Sequence, residues 1–433
     1  MTYSETIDFL FNQVTSFQQV GAAAYKPGLE RVEEFCRLLG NPHNDYHTIH
    51  IAGTNGKGST SHMMASVLQQ AGYRVGLFTS PHLKDFRERV RVDGEMISEQ
   101  EVVGFVERNM PEIKRLGLSF FEITAAMAFD HFASQDVEVA VIETGLGGRL
   151  DATNIITPLV SVITNIGLDH TDLLGSTLQA VAAEKAGIIK RGVPVVLGER
   201  SEEYNDIFVK RAEELDAPLY FAQQQCRVLE QGVADDMQRF VLQRDSDSAK
   251  FDVKLDLMGE YQYNNLITAS AALDVLDKLT PLTISRRAYL EGLQSVSRST
   301  SLAGRWQVLS AEPYMVCDTG HNAHGIKYVA KQLQGLVERY SKLYCVVGFA
   351  KEKNLNEVLP LLPTQAYYIF TQASSPRALP AVSLAEQAAE FGLQGEVVSN
   401  VADAVAEAQK KATAKDAIFI GGSNFIVGEI PQL

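Results

Sequence analysis

His50-Ile51-Ala52-Gly53-Thr54-Asn55-Gly56-Lys57-Gly58-Ser59-Thr60 is the stretch that decides the fold. Thr48 to Ala52 is a short apolar run that predicts a buried strand. Glycines, a lysine and hydroxyl residues follow, and from Thr60 to Ala71 the pattern turns helical. Strand, glycine-rich turn and helix start make a phosphate cradle. Glycine lets the backbone N–H groups converge on oxygens, while the helix dipole and the Lys57 ammonium favour negative charge. The match to the common P-loop is imperfect: Gly58 separates Lys57 from Ser59, and Ile51 stands where the first glycine is usual.

Strand-and-helix alternation runs outward from this unit. Upstream, apolar spacing over 3–20 (Ile7, Leu10, Phe11, Val14, Phe17) and 29–39 predicts two helices. Downstream, strands are expected at 74–78, 137–142, 159–164 and 194–197, with helices at 98–116, 119–133 and 177–189. Polar loops follow three of the strands: Thr79-Ser80-Pro81-His82-Leu83, Glu143 to Asn154, and Asn165 to Asp172. This order predicts a doubly wound parallel sheet with its polar residues gathered at one edge. Short alternating stretches between Cys226 and Leu257 predict a small antiparallel excursion, and 259–279 a helix carrying Gln262 and Asn265 one turn apart. The aperiodic Ser, Thr and Gly stretch near residue 300 is read as a linker at 297–304. It divides an ATP-binding domain (1–296) from a smaller Rossmann-like α/β domain (305–433) with strands at 306–310, 314–317, 343–347, 366–370 and 417–420.

The chain has 433 residues, too many for one ordinary core. A formal net charge of −14 argues against nucleic acid as a partner, because phosphate backbones attract basic faces. No apolar run reaches membrane-spanning length, and Met1 to Val20 carries Glu5 and Asp8 with no basic targeting region. Cys36, Cys226, Cys317 and Cys345 are scattered without metal or redox spacing, so a reducing cytoplasm is expected.

Before any likeness is used, Ser80, Glu143 and His170 at strand ends offer ligands for a phosphate-bound magnesium. Serine and carboxylate oxygens suit that ion; histidine alone suits a transition metal better, or is simply a hydrogen-bonded loop residue. By spacing alone Lys185 reads as a solvated or ion-paired lysine. No nucleophile elbow or catalytic triad order is present. Phosphoryl transfer from ATP is the reading the motifs favour.

Gly53–Ser59, Ser80-Pro81-His82-Leu83, the Glu143–Asn154 loop with its Gly-Gly-Arg-Leu-Asp-Ala-Thr-Asn, and Asp169-His170-Thr171 together resemble folylpolyglutamate synthase/dihydrofolate synthase. That is the folate branch of the Mur ligase superfamily. Glu184-Lys185-Ala186-Gly187-Ile188, the Gln262/Asn265 helix, Gly304-Arg305, Asp318-Thr319-Gly320-His321-Asn322 and Gly421-Gly422-Ser423 extend the likeness over nearly the whole chain. The resemblance implies an ATP-dependent amide ligase. It would phosphorylate a carboxylate of dihydropteroate or a reduced folate and join L-glutamate to it. It also implies Lys57, His170 and Lys185 as catalytic groups, and Thr54, Asn55, Gly56, Lys57, Gly58, Ser59, Asn265, Arg305 and Asp318 as nucleotide contacts. Ser80, Glu143 and His170 match magnesium ligands, and Lys185 matches a lysine carried as a carbamate that helps hold a second magnesium. Leu29, Glu30, Arg31, Phe121, Leu150, Asp151 and Ala152 match the pterin side, and His321 and Ser423 further contacts in the C-terminal domain. A monomer is expected.

Other readings are a folylpolyglutamate synthase alone, another Mur-type amino acid ligase, or a nucleotide-driven switch. A cell-wall Mur ligase would ordinarily carry a UDP-binding domain ahead of the phosphate loop, which here begins some fifty residues in. A switch leaves the second α/β domain and its polar strand ends unexplained.

Overall fold

The computed structural model describes residues 1–14 and 28–433. The chain forms two compact units: residues 1–256 with 262–302, and residues 257–261 with 303–433.

The first unit is built on an eight-stranded sheet. Its strands are His47–Ala52 (β1), Val75–Phe78 (β2), Val90–Val92 (β3), Glu95–Met96 (β4), Val139–Glu143 (β5), Val160–Ile163 (β6), Val195–Leu197 (β7) and Leu219–Phe221 (β8), ordered β4-β3-β2-β5-β1-β6-β7-β8. From β2 to β8 all pairings are parallel; β3 and β4 add an antiparallel edge. The central strands are apolar on both faces because both are covered. Phe78, Ala140 and Ile142 face a core shared with Phe129 and Phe132, while Ala52, Ile163, Val195 and Leu197 face another with Val181 and Phe208. Register aligns Ile51 with Glu143, Ala52 with Ile163 and Phe78 with Ile142, so the loops after four parallel strands leave from one edge. Ligands of open α/β sheets bind at that kind of edge.

Beyond β8, Cys226–Ala234 (β9), Met237–Arg244 (β10) and Lys250–Leu255 (β11) form the antiparallel excursion. The N-terminal helix Tyr3–Asp8 is closed by a Thr2/Glu5 capping box and continues as a π-helical turn, Phe9–Gln13. Leu10 and Val14 join the core as their spacing predicts; Phe17 lies outside the described residues.

The linker expected at 297–304 takes a different form. Val296–Thr300 is helical, both of its end residues are fully buried, and the first unit runs on to Leu302. The stretch has no hydrophobic period because its polar side chains are the ones that pack: Thr300 Oγ1 bonds His62 Nδ1 (2.7 Å) and Ser299 Oγ bonds Ser66 Oγ (2.7 Å). Buried hydroxyls that find partners are invisible to a hydropathy pattern.

The second unit carries Gln307–Ala311 (β12), Tyr314–Asp318 (β13), Leu343–Val347 (β14), Tyr367–Phe370 (β15), Gln394–Val397 (β16) and Ala417–Gly421 (β17), in the order β12-β13-β17-β14-β15-β16. All but β12 run parallel. Among the described residues no helix is long and apolar enough to cross a membrane, and all four cysteines are free and buried.

Candidate active site

The loop after β1 is shaped by two glycines that nothing larger could replace. Gly53 has φ +154°, and a β-carbon there would lie 1.8 Å from Thr164 Oγ1; Gly56 has φ +81°, and a β-carbon would lie 2.2 Å from Asn265 Oδ1. The segment after β6 braces the loop. Thr54 N donates to the Asn165 carbonyl (3.0 Å), Asn55 N to Asn165 Oδ1 (2.8 Å), and Thr164 Oγ1 to the Asn55 carbonyl (2.6 Å). Gly56 then caps the helix Lys57–Gln70. On its far side Gln262 Nε2 donates to the buried Ser59 Oγ (3.1 Å), and Asn265 Nδ2 to Gln262 Oε1 (2.8 Å). The cradle is therefore held from two directions by side-chain amides. The Lys57 ammonium lies back across the loop, donating to the carbonyls of Gly53 (3.0 Å) and Thr54 (3.3 Å).

Glu143 ends β5, is buried, and sets a carboxylate oxygen 4.0 Å from Lys57 Nζ. Its other oxygen is 3.5 Å from Ser80 N, at the end of β2. His170 is half-buried with φ +51° and begins the short helix Thr171–Leu174. Its backbone N–H donates to Asp169 Oδ1 (2.9 Å), and its ring Nε2 is 4.0 Å from the same oxygen. Among the described residues no three His, Cys, Asp or Glu side chains form a ready metal cage. A hydroxyl, one carboxylate and an imidazole beside a phosphate cradle make a sparse donor set, which fits a magnesium that arrives on phosphates and keeps waters.

Lys185, on the helix Leu178–Ala186, is buried. Burial first, then the charge of Lys57, draws its amine down to about 7, with Asp169, Asp151 and Glu184 acting in the opposite direction. Spacing alone presented it as a solvated lysine; helix periodicity could not show that its face is closed over by the Glu143–Asn154 loop. That loop packs tightly here, since a β-carbon on Gly148 would meet the Glu184 carbonyl at 2.8 Å.

The same loop is pinned from inside by a buried relay. His50 Nε2 and Thr153 Oγ1 are 2.8 Å apart, and Thr153 Oγ1 is 2.5 Å from Asp151 Oδ1. Thr153 N also donates to Asp151 Oδ1 (3.0 Å) and Leu146 N to Asp151 Oδ2 (2.8 Å). Burial holds the His50 ring down to about 3, so it is neutral. Because the hydroxyl proton goes to the carboxylate, the histidine donates from Nε2. Asp151 is thus occupied within its own loop.

Among the residues matched to the pterin side by resemblance, Phe121 packs over Gly145, where a β-carbon would lie 2.4 Å from the ring, and lies 5.8 Å from the Phe78 ring. Leu150 is half-buried and Ala152 buried. Leu29 packs on the core, Glu30 is exposed, and Arg31 Nε donates to the buried Glu122 Oε1 (3.0 Å). Arg31 ties two helix starts together, because Glu122 also accepts from Ser119 N in a capping box.

In the second unit Asp318 ends β13 and is buried. It accepts from the Tyr261 hydroxyl (2.6 Å), Trp306 N (2.8 Å) and Gly320 N (2.7 Å). Burial raises its carboxyl above the usual range and these donors oppose that. Arg305 donates to Thr319 Oγ1, and His321 Nδ1 to the Thr319 carbonyl (2.9 Å). Ser423 accepts from Ile426 N (3.2 Å) and caps Asn424–Gly428. Sequence reasoning missed Asn165, His50 and Tyr261; each acts through a partner more than forty positions away, and no local pattern marks them.

The Mur ligase middle domain family matches residues 51–273, and the Mur ligase glutamate ligase domain family matches residues 304–424. The dihydrofolate synthase/folylpolyglutamate synthase of Bacillus subtilis is 32% identical over 415 residues, covering 94% of each chain. The Escherichia coli FolC structure with DHPP and ADP shares 30% identity at a TM-score of 0.84, covering 99% of this chain and 96% of that one. The Yersinia pestis bifunctional enzyme complexed with AMPPNP and Mn shares 29% at a TM-score of 0.83, covering 99% and 97%. On these matches, over a phosphate cradle at the edge of a parallel sheet, the chain belongs to the folylpolyglutamate synthase/dihydrofolate synthase family of ATP-dependent ligases.

Proposed function

We propose that this enzyme joins L-glutamate both to dihydropteroate and to the γ-carboxylate of reduced folates. The observation that carries the reading is the braced cradle Gly53–Ser59 with the Glu143 carboxylate 4.0 Å from Lys57 Nζ. The acceptor carboxylate attacks the γ-phosphorus of ATP and ADP leaves. The glutamate amine then attacks the acyl phosphate carbonyl, and phosphate leaves with loss of the amine proton. Backbone N–H groups from Thr54 to Ser59 and the Lys57 ammonium offset charge on the transferring phosphoryl group. Asn265, Arg305 and Asp318 contact the nucleotide. Phe121, Leu150, Asp151, Ala152 and the Leu29–Arg31 segment form the pterin side, and His321 and Ser423 make further substrate contacts.

Ser80, Glu143 and His170 would hold Mg²⁺, which supplies charge neutralisation for the phosphates. Lys185 would hold a second as its carbamate. An amine drawn down to about 7 has a substantial uncharged fraction near neutrality, and the uncharged form is the one that reacts with carbon dioxide. The product replaces repulsion from Lys57 with attraction, and with Asp169 gathers anionic oxygens suited to a divalent cation. We read the enzyme as a cytoplasmic monomer, in keeping with its free thiols.

The test is a side-by-side assay of glutamate-dependent phosphate release with dihydropteroate and with a tetrahydrofolate monoglutamate. Turnover with both supports the dual activity. Glutamate incorporation into the folate alone would remove the synthase half.

A further inference from the structure

Arg89 closes the turn Phe86–Arg89 directly before β3, and its carbonyl accepts from Thr79 N (3.1 Å), which ties it to the Ser80 loop. Only 2% of the residue is exposed. Its Nε donates to His82 Nδ1 (2.8 Å), and its guanidinium carbon stands 5.1 Å from the Phe120 ring centre. Among the described residues no carboxylate lies within ion-pair distance of it. Burial draws the guanidinium down to about 10, opposed by Glu143 and Glu88 at longer range. A guanidinium carries five N–H donors, and a buried cation without an anion is costly. Of the neighbouring arginines, Arg31 pairs with Glu122 and Arg87 with Asp85 and Glu99, while the buried Arg91 gives Nη1 to the Gly94 carbonyl (3.1 Å). Arg89 differs from Arg91 in facing a side-chain acceptor and an aromatic ring rather than a backbone turn.

We propose that Arg89 receives the carboxylate of the acceptor substrate and holds it toward the phosphate cradle. This rests on the glutamate-ligase reading above. A planar fork suits a carboxylate, which it can grip with two parallel N–H bonds. Phe120 beside the fork gives an apolar wall suited to an arene or methylene stem. The phosphates have their own cation in Lys57, so the Arg89 guanidinium, bonded to His82 of the Ser80 loop, is left for the other anion of the reaction.

The wild-type enzyme is first checked for glutamate-dependent phosphate release; failure there overturns the functional reading itself. Affinities for dihydropteroate and its methyl ester are then compared, with ADP and Mg²⁺ present, in wild type, Arg89→Gln and Arg89→Lys. A second arm uses tetrahydrofolate and its dimethyl ester. Wild type should bind each acid at least tenfold tighter than its ester. Arg89→Gln should bring that ratio near one, and Arg89→Lys should lower it at least threefold because the fork is lost while the charge stays. Loss in both arms supports Arg89 as the holder of the acceptor carboxylate of each substrate, and loss in one arm alone overturns a shared acceptor site. An unchanged ratio in a folded variant, either substitution sufficing, overturns the proposal while leaving the ligase reading intact.

Discussion

Asn265 Oδ1 occupies the space that a β-carbon on Gly56 would need, 2.2 Å from where that atom would sit. Position 56 is closed to side chains twice over, by this contact and by φ +81°. Gly56→Ala should therefore cost about 1–3 kcal/mol in stability from the strained backbone. It should also weaken ADP binding by at least tenfold, since Asn265 and the loop amides shift together. Thermal melts and ADP titration check both; unchanged ADP affinity would mean that the cradle does not hold the nucleotide.

Lys57→Ala should leave the fold intact. The ammonium bonds only two loop carbonyls in the described structure and reaches Glu143 at 4.0 Å. Glutamate-dependent turnover should fall by about 10²–10³ or more, the scale of losing one charge-stabilising group in a transition state. Near-normal kcat with a normal melt would remove Lys57 from the reaction.

For Glu143→Ala and His170→Ala the informative quantity is the Mg²⁺ concentration at half-activity. It should rise at least tenfold in each, with melting temperatures changing far less. Activity that follows the melting curve, with an unchanged Mg²⁺ requirement, would make both residues structural.

Lys185 gives a pH signature in the nucleotide-free protein. Its amine lies near 7 when folded, against an ordinary 10.5. Below about 7 both states carry the proton and the whole burial cost is present. Between 7 and 10.5 the unfolded chain binds the proton that the folded one lacks, so stability rises with pH. The melting temperature of wild type relative to Lys185→Met should therefore climb across that window. Intact mass measured without acid should in addition show one added carbon dioxide, and acetate should partly restore activity to Lys185→Ala. An ordered, unmodified lysine in active, nucleotide-loaded enzyme would refute the carbamate.

Phe121→Ala should raise the KM for dihydropteroate several-fold with little change in the KM for ATP. A stacking face contributes on the order of 1 kcal/mol beyond its area, and here the ring is already seated on Gly145. Equal rises for both substrates would point to collapse of the glycine loop instead.

The parallel core was legible because β1, β2, β5 and β6 are near-continuous apolar runs closed by polar loops, a signal that survives without an alignment. The β3–β4 edge was not. Strands of three and two residues carry no period, and Val90–Val92 pairs only because β2 lies beside it. The cradle residues Gly53 to Ser59 announced themselves through glycine spacing. Their supports, Asn165 and Gln262, looked like ordinary loop and helix polar residues until the fold brought their amides together. Arg31 shows the reverse: the family likeness alone points to it at the pterin, while its bond to Glu122, ninety-one positions away, has no mark in the local pattern. Arg89 gave no sign at all, since burial of an arginine is decided by what closes over it.

The His50–Thr153–Asp151 relay ties strand β1 to a loop a hundred residues further along the chain. Its three side chains form one donor–acceptor sequence, so no member can change alone without stranding a buried partner. Heritable variation at positions 50, 151 and 153 should therefore come as matched sets. In a saturation library scored for growth, singly altered chains at these positions should be scarce. Double changes that restore a buried donor and acceptor, or replace both with apolar groups, should return together.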